Sequence, residues 1–270
     1  MIYVLIDISY LIFYRYFALI QWWKHANSDI ILPENPYECK EFLEKFEKMI
    51  KESINKIKEK LKLKKVECKF IGARDCPRKN IWRNDLYSKY KENRDNDKNN
   101  CGMFFKHVYN NNLLDNIGLE YILLFDKLEA DDIIATLKKY IHNKYPSSQI
   151  IIIANDHDYL QLLDENTEII NLQFKKLRDN SKVYSISDKN LFYKILLGDK
   201  SDNIPPVFNK CGPKTVEKYY LDRDLLNSDL DKFNCRDKYE RNRMLIDFNN
   251  IPENLLYEFI EENKTLLDNI

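Results

Sequence analysis

Short uninterrupted apolar runs, set among longer charged stretches, constrain the fold of this chain more than any other feature. IYVLI (Ile2–Ile6) and IIIIA (Ile150–Ala154) carry no charge on either face, as expected of strands buried on both sides of a parallel sheet. Strands are expected at Ile2–Asp7, Val66–Ala73, Leu119–Leu124, Gln149–Ala154 and Glu168–Leu172. Between the first two, Phe42, Phe46, Met49, Ile50, Ile54 and Ile57 recur at helical spacing within Glu38–Lys64. Further helices are expected after Glu129 and over Lys189–Leu197. This alternation predicts an α/β fold, a central mostly parallel sheet flanked by helices. Residues 191–270 show only helical patterns. The expected division is an α/β core at 1–188 and a helical region at 189–270. Residues 77–117 are polar, basic and aromatic without a core pattern, with Asp95–Asn100 as a loop.

Composition narrows the class. With 5 Gly and 8 Pro in 270 residues, the chain has no extended flexible linker. Six scattered cysteines (Cys39, Cys68, Cys76, Cys101, Cys211, Cys235) form no CxxC pair and have no His at zinc-ligand spacing. Free thiols in a reducing compartment are expected, rather than a zinc site or a disulfide framework. The first 20 residues are apolar, but Asp7 and Arg15 interrupt them, no basic segment precedes them and no small-residue cleavage site follows. A membrane span needs about 20 residues with few charges. The expectation is an intracellular protein, cytoplasmic or nuclear, not secreted.

Acidic residues collect where strands end, the edge at which parallel sheets bind ligands. Asp7 ends the first strand and Asp75 follows the second. Glu129, Asp131 and Asp132 follow the third, Asp156 and Asp158 the fourth, and Asp199 and Asp202 the helix beyond. Each alone has an ordinary reading: Asp131 and Asp132 suit a helix N-terminus, and Asp156 could close a turn. Together on one rim they would repel unless cations neutralised them. Oxygen donors without His or Cys favour Mg²⁺ or Mn²⁺ over zinc. Two such ions, about 4 Å apart, serve phosphodiester hydrolysis. No GxxxxGK[ST] loop supports a nucleotide triphosphatase.

Arg78–Arg94 reads RKNIWRNDLYSKYKENR, six Lys/Arg against two acids. Interleaved Trp82, Tyr87 and Tyr90 are placed to stack on bases while the cations meet phosphates; a solvated helical face is the alternative. Lys51–Lys65, with seven Lys against two Glu, reads as an amphipathic surface helix. Net charge is zero, but taking the nine rim carboxylates from the 43 acids leaves 34 against 43 Lys/Arg. The remaining surface is net positive, which suits DNA.

Five segments then stand out: VLIDISYLIFYR, LYSKYKENR, LEADDIIA, ANDHDYLQLL, and ILLGDKSDNIP followed by KCGPKTVEKY. Their order over residues 4–220 resembles the 5′-nuclease superfamily of flap endonucleases, phage 5′-3′ exonucleases and the 5′-nuclease domain of bacterial DNA polymerase I. The resemblance implies a PIN-like core, a helical arch at roughly 77–117 and a C-terminal helix–hairpin–helix region. It implies that Asp7, Asp75, Glu129, Asp131 and Asp156 ligate the ions nearer the scissile phosphate, with Asp132, Asp158, Asp199 and Asp202 completing the set. Lys91 and Arg94 are similar to the family's basic pair at that phosphate. Arg15 resembles an N-terminal arginine there, one residue further from Asp7 than usual. Lys210–Tyr219 resembles the element that holds duplex phosphates, with Lys210, Gly212, Lys214 and Thr215 as contacts and K⁺ in its turn. Lys210 and Cys211 replace the usual Gly-apolar pair, which puts K⁺ in question.

The resemblance implies a monomeric, metal-dependent 5′-flap endonuclease and 5′-3′ exonuclease of replication or repair, using two or more Mg²⁺ or Mn²⁺ ions. Its partners would be DNA with 5′ flaps, nicks or free 5′ ends, and RNA primer–DNA hybrids. A PIN-like ribonuclease and a non-catalytic DNA-binding homologue are the alternatives. The region GDKSDN…CGPKT weighs against the first, and the full set of carboxylates against the second.

Overall fold

The computed structural model describes residues 1–26, 32–94 and 101–270. Its strands are β1 (Ile2–Asp7), β2 (Cys68–Ala73), β3 (Tyr121–Leu123), β4 (Gln149–Ile153) and β5 (Thr167–Ile170). Among the described residues they form one sheet in the order β3-β2-β1-β4-β5, every pairing parallel. The chain winds outward from β1 to β3, then returns to the other side of β1 for β4. All carboxyl ends therefore share one edge, and the crevice between β1 and β4 lies at the switch point where such sheets bind ligands.

Helices cover both faces. Tyr3 and Leu5 of β1 enter one core, Val4 and Ile6 the other, which explains why that strand is apolar throughout. α1 (Ile8–Ala26), α2 (Lys40–Lys51), α3 (Ser53–Lys60), α4 (Arg83–Leu86) and α5 (Cys101–Asn110) precede β3. The first three and α5 pack on one face through Leu11, Phe42, Ile54 and Phe104. The single helix expected over Glu38–Lys64 is broken at Glu52. There Ser53 Oγ donates to the Met49 carbonyl (2.7 Å), a local bond that competes with regular helix. Lysines 56, 58 and 60 stay at least partly exposed while Ile54 and Ile57 are buried, the amphipathic pattern expected of that stretch.

α6 (Ala130–Lys144) covers the other face. It is followed by α7 (Ser187–Leu197), α8 (Pro213–Leu221), α9 (Arg223–Lys232), α10 (Arg236–Ile246), α11 (Glu253–Glu262) and α12 (Lys264–Asp268). Residues of α7, α8 and α9 share a core of their own around Phe192, Val207 and Leu230. Leu255, Phe259 and Leu267 instead join the sheet's core, and Tyr3 Oη donates to the Ile270 carbonyl (3.0 Å). The sheet's core thus takes residues from both sides of residue 188.

Residues 77–117, read as lacking a core pattern, do contribute to the interior: Ile81, Trp82, Tyr90, Phe104, Val108 and Ile117 are buried. The expected loop at Asp95–Asn100 lies outside the described residues. No helix among the described residues is long and apolar enough to cross a membrane. None of the six cysteines forms a disulfide among the described residues.

Candidate metal centre

Asp7, the last residue of β1, accepts from the Tyr10 amide (2.8 Å) and the Tyr159 hydroxyl (3.0 Å). Asp75, two residues past β2, accepts from the Ala130 amide at the start of α6 (2.8 Å) and from Ser9 Oγ. Asp131 in the first turn of α6 accepts from the Asp132 amide (2.8 Å). Asp156 follows β4 and caps the 3₁₀ helix His157–Leu162 through the Asp158 amide (3.0 Å). With Glu129 these four line one cavity of about 680 Å³ at the carboxyl edge of the sheet, and Lys91 and Arg94 line it too.

The electrostatics call for a cation. Burial and the charge of Asp75 push the Asp7 carboxyl up to about 7. Burial and Asp132 hold Asp131 well above the usual carboxylate range. Neither residue, nor Asp75, has a basic ion-pair partner among the described residues. The available donors are carboxylate oxygens without imidazole or thiolate, a set that fits a hard divalent ion. The residues that would hold it are Asp7, Asp75, Asp131 and Asp156.

Glu129 and Asp132 differ. Glu129, Asp131 and Asp132 have oxygens within 4.8 Å of one another, near enough for one ion, but those of Asp132 are already used. Asp132 is 0% exposed. It accepts from the Glu129 amide (3.1 Å), Trp82 Nε1 (2.9 Å) and both terminal nitrogens of Arg83 (2.8 and 2.7 Å). These bonds seat the N-terminus of α6, and a ligand role for Asp132, as expected from the sequence, would share its oxygens with them. Glu129 accepts from Arg83 (3.0 Å), Tyr90 Oη (2.9 Å) and Lys91. Against its burial, Lys91 and Arg83 keep the Glu129 carboxyl below its ordinary range.

Asp158, Asp199 and Asp202 form a second group, with ligand oxygens also within 4.8 Å. Lys194 of α7 lies among them, touching Asp158 and standing 2.7 Å from Asp199 and 3.8 Å from Asp156. Burial pushes Asp158 up to about 7 despite Lys194. Asp199, although burial opposes it, is held at about 2 by Lys194 and by Ser201. Asp202 is engaged by Arg94, Tyr90 Oη (3.2 Å) and Lys91 (3.7 Å).

The turn carrying Asp199 and Asp202 depends on Gly198. Its φ is +70°, and a Cβ there would drive into the Ile204 and Pro205 carbonyls. Those residues close the turn through paired Asp199–Ile204 backbone bonds of 2.8 and 2.7 Å. Gly198→Ala should therefore cost about 1–3 kcal/mol or more, read as a lower denaturant midpoint; an unchanged midpoint would show that the turn yields.

The remaining expected residues do not line this cavity. Arg15 is 4% exposed and its Nε donates to Ser53 Oγ (2.8 Å); the one-residue offset from Asp7 turns it about 100° round α1, into the interior. Trp82 and Tyr90 are buried and hydrogen-bonded to carboxylates, so their rings do not present to bases. Tyr87 lies under the Arg241 guanidinium (4.9 Å to the ring centre). In Lys210–Tyr219 the left-handed residue is Lys210 (φ +59°), while Gly212 (φ −123°) precedes Pro213 at the start of α8. Lys210 and Lys214 are exposed and Thr215 is half-buried.

Sequence reasoning missed two cations. Arg83 is 2% exposed and binds Asp132, Glu129 and the Leu245 carbonyl (2.7 Å). The apolar pair Ile81–Trp82 just before it was the available sign that this stretch faces inward. Lys194, set among Tyr193, Ile195 and Leu196, carried a similar sign.

A pH dependence follows. Asp7 and Asp158 have folded pKa values raised to about 7, above the unfolded value of about 3.9. Their ionisation is disfavoured in the folded state, so stability falls as pH rises between those values. The ion-free protein should melt lower at pH 8 than at pH 5.5. A divalent ion should raise the melting temperature more at pH 8, because its ligands must be deprotonated. Equal melting at both pH values would contradict this.

Residues 2–192 match the family described as 5′-3′ exonuclease, N-terminal resolvase-like domain. DNA polymerase I of Caldicellulosiruptor bescii is 34% identical over 172 residues, covering 58% of this chain and 20% of that protein. The chain thus matches about a fifth of the length of such polymerase relatives. Ribonuclease H of Enterobacteria phage T4 is 27% identical over 211 residues, 69% of this chain and 67% of that one. Two solved structures share the fold at a TM-score of 0.67. One is a bacteriophage T5 flap endonuclease in complex with DNA and metal ions (16% identity, 99% of this chain, 100% of that one). The other is T5 5′-exonuclease with divalent zinc bound (18% identity, 99% and 100%). On the match across residues 2–192, this chain belongs to the 5′-3′ exonuclease family.

Proposed function

We propose that this chain is a structure-selective 5′-nuclease, hydrolysing DNA phosphodiesters near junctions of single and double strand with the help of Mg²⁺ or Mn²⁺. The observation that carries the reading is the cavity in which Asp7, Asp75, Asp131 and Asp156, from separate strand ends, face Lys91 and Arg94. When bound there, a divalent ion acidifies water and offsets charge developing on the phosphate. The chain's own residues do the rest. The Asp7 and Asp75 carboxylates are oriented by Tyr10, Tyr159, Ala130 and Ser9. Lys91 and Arg94 are held at the rim by Glu129 and Asp202 and supply positive charge to the scissile phosphate.

Duplex binding is assigned to Lys210 and Gly212 and to Lys214 and Thr215 at the start of α8, which meet phosphates without reading sequence. With Lys210 in the turn position, K⁺ there belongs to the same proposal. The natural substrates would be 5′ flaps, nicks and free 5′ ends, acted on by a monomer. The likeness to a phage ribonuclease H favours a second substrate, the RNA segment of a primer hybrid.

Substrate comparison tests this reading. A labelled 5′ flap, a nicked duplex, a primer hybrid and a blunt duplex are incubated with Mg²⁺ and protein. Incision within a few nucleotides of the flap junction is expected, and equal cutting of blunt duplex would contradict structure selection.

A further inference from the structure

The two carboxylate groups are neutralised differently. Asp7, Asp75 and Asp131 have no ion-pair partner among the described residues, whereas the second group contains a cation supplied by the chain. The Lys194 ammonium touches Asp158, stands 2.7 Å from Asp199 and 3.8 Å from Asp156. The side chains are sheltered, Lys194 being 16%, Asp158 13% and Asp199 14% exposed. The carboxylates come from two segments, the 3₁₀ helix after β4 and the turn after α7, and Lys194 ties them together.

We propose that Lys194 is a tethered counter-cation, occupying the position that a divalent ion at the second carboxylate group must take. The proposal rests on reading these carboxylates as ion ligands. A carboxylate group with an ammonium among its oxygens attracts a further cation weakly. In the first cavity Lys91 and Arg94 pair with Glu129 and Asp202, no cation of the described residues stands among the Asp7, Asp75 and Asp131 oxygens, and these attract a divalent ion strongly. Lysine suits a displaceable occupant: it is a compact charge on a flexible four-carbon stem, with none of the fixed fork of arginine. Ions then load in order, the Asp7–Asp75–Asp131 cavity first and the Asp158–Asp199 group second, the latter only as Lys194 swings out. Lys194 is thus a positioning residue that sets when the second ion enters.

Mn²⁺ binding, counted by the electron-paramagnetic signal of free ion, tests this in wild type, Lys194→Met and Asp131→Asn proteins. Two affinity classes are expected in wild type. Lys194→Met should tighten the weaker class by about tenfold or more, at least the size of effects that neighbouring contacts exert on metal affinity, and leave the tighter class in place. Asp131→Asn should weaken the tighter class. A weaker class unchanged or lost in Lys194→Met would overturn the proposal and leave the first site intact. If Asp131→Asn alters neither class, the ion-ligand reading itself falls, and the Lys194 role with it.

A wild-type measurement guards against misfolding of the variant. Lys194 is labelled with an amine-acetylating reagent and quantified by mass spectrometry across the Mn²⁺ titration. Labelling that rises as the weaker class fills is expected; labelling that stays flat or falls would overturn the displacement.

Discussion

Asp131→Asn should lower the single-turnover rate of flap cleavage by roughly 10³-fold, the upper range for removing one preorganised electrostatic contact, while the protein stays folded. Among the described residues the Asp131 side chain makes one hydrogen bond, accepting from the Asp132 amide, and the asparagine carbonyl can accept it equally. What is lost is a negative charge in a cavity that already holds Asp7, Asp75 and Asp156. The same substitution relieves repulsion, since burial and Asp132 hold the Asp131 carboxyl well above its ordinary range. Without divalent ion at pH 8 the variant should therefore melt higher than wild type. Activity and stability move in opposite directions, the signature of a residue held under strain for function. A variant that cleaves normally would remove Asp131 from the site. One that loses activity because it unfolds would show a structural role instead.

Arg83→Met should produce the largest loss of stability, about 3–5 kcal/mol, because removing one partner of a buried ion pair leaves the other charge uncompensated. Asp132, fully buried, would lose both guanidinium bonds, and Glu129 and the Leu245 carbonyl one each. At about 2–4 °C per kcal/mol for a chain of this size, the melting temperature should fall by roughly 10 °C. Arg83→Lys should recover little of it, since an ammonium cannot fork across Asp132 as a guanidinium does. Urea titration with matched slopes checks this. A loss under about 1 kcal/mol would place Arg83 among ordinary surface pairs.

The two variants show what the sequence made legible. Strand β1 occupies Ile2–Asp7 as expected, because a run apolar on both faces has few alternatives to the centre of a sheet. The acidic rim was legible because its carboxylates follow apolar runs within a few residues, and strand ends share an edge in a parallel sheet. Boundaries set by local chemistry were less visible: Ser53 breaks a helix whose apolar spacing continues through it. The inward setting of Arg15 follows from helical phase, where one residue changes the face.

Roles that depend on distant partners were hidden. Arg83 is 49 positions from Asp132 and 162 from Leu245, and nothing local marks a buried arginine except the apolar residues beside it. For the same reason Trp82 and Tyr90 looked like base-stacking residues: their spacing showed aromatic rings among cations but not the carboxylates that draw them inward. Asp132 looked like its neighbour Asp131, yet one residue along the helix takes it from the cavity to the core.

The central claim is that carboxylates at the sheet edge hold divalent ions on which cleavage depends. Its most direct measurement is single-turnover cleavage of a 5′-labelled flap over a Mg²⁺ titration, from chelated protein to saturation. The account predicts no cleavage with chelator, a rate that climbs with Mg²⁺ to a plateau, and incision near the junction. Cleavage that persists at full rate in chelator would contradict it.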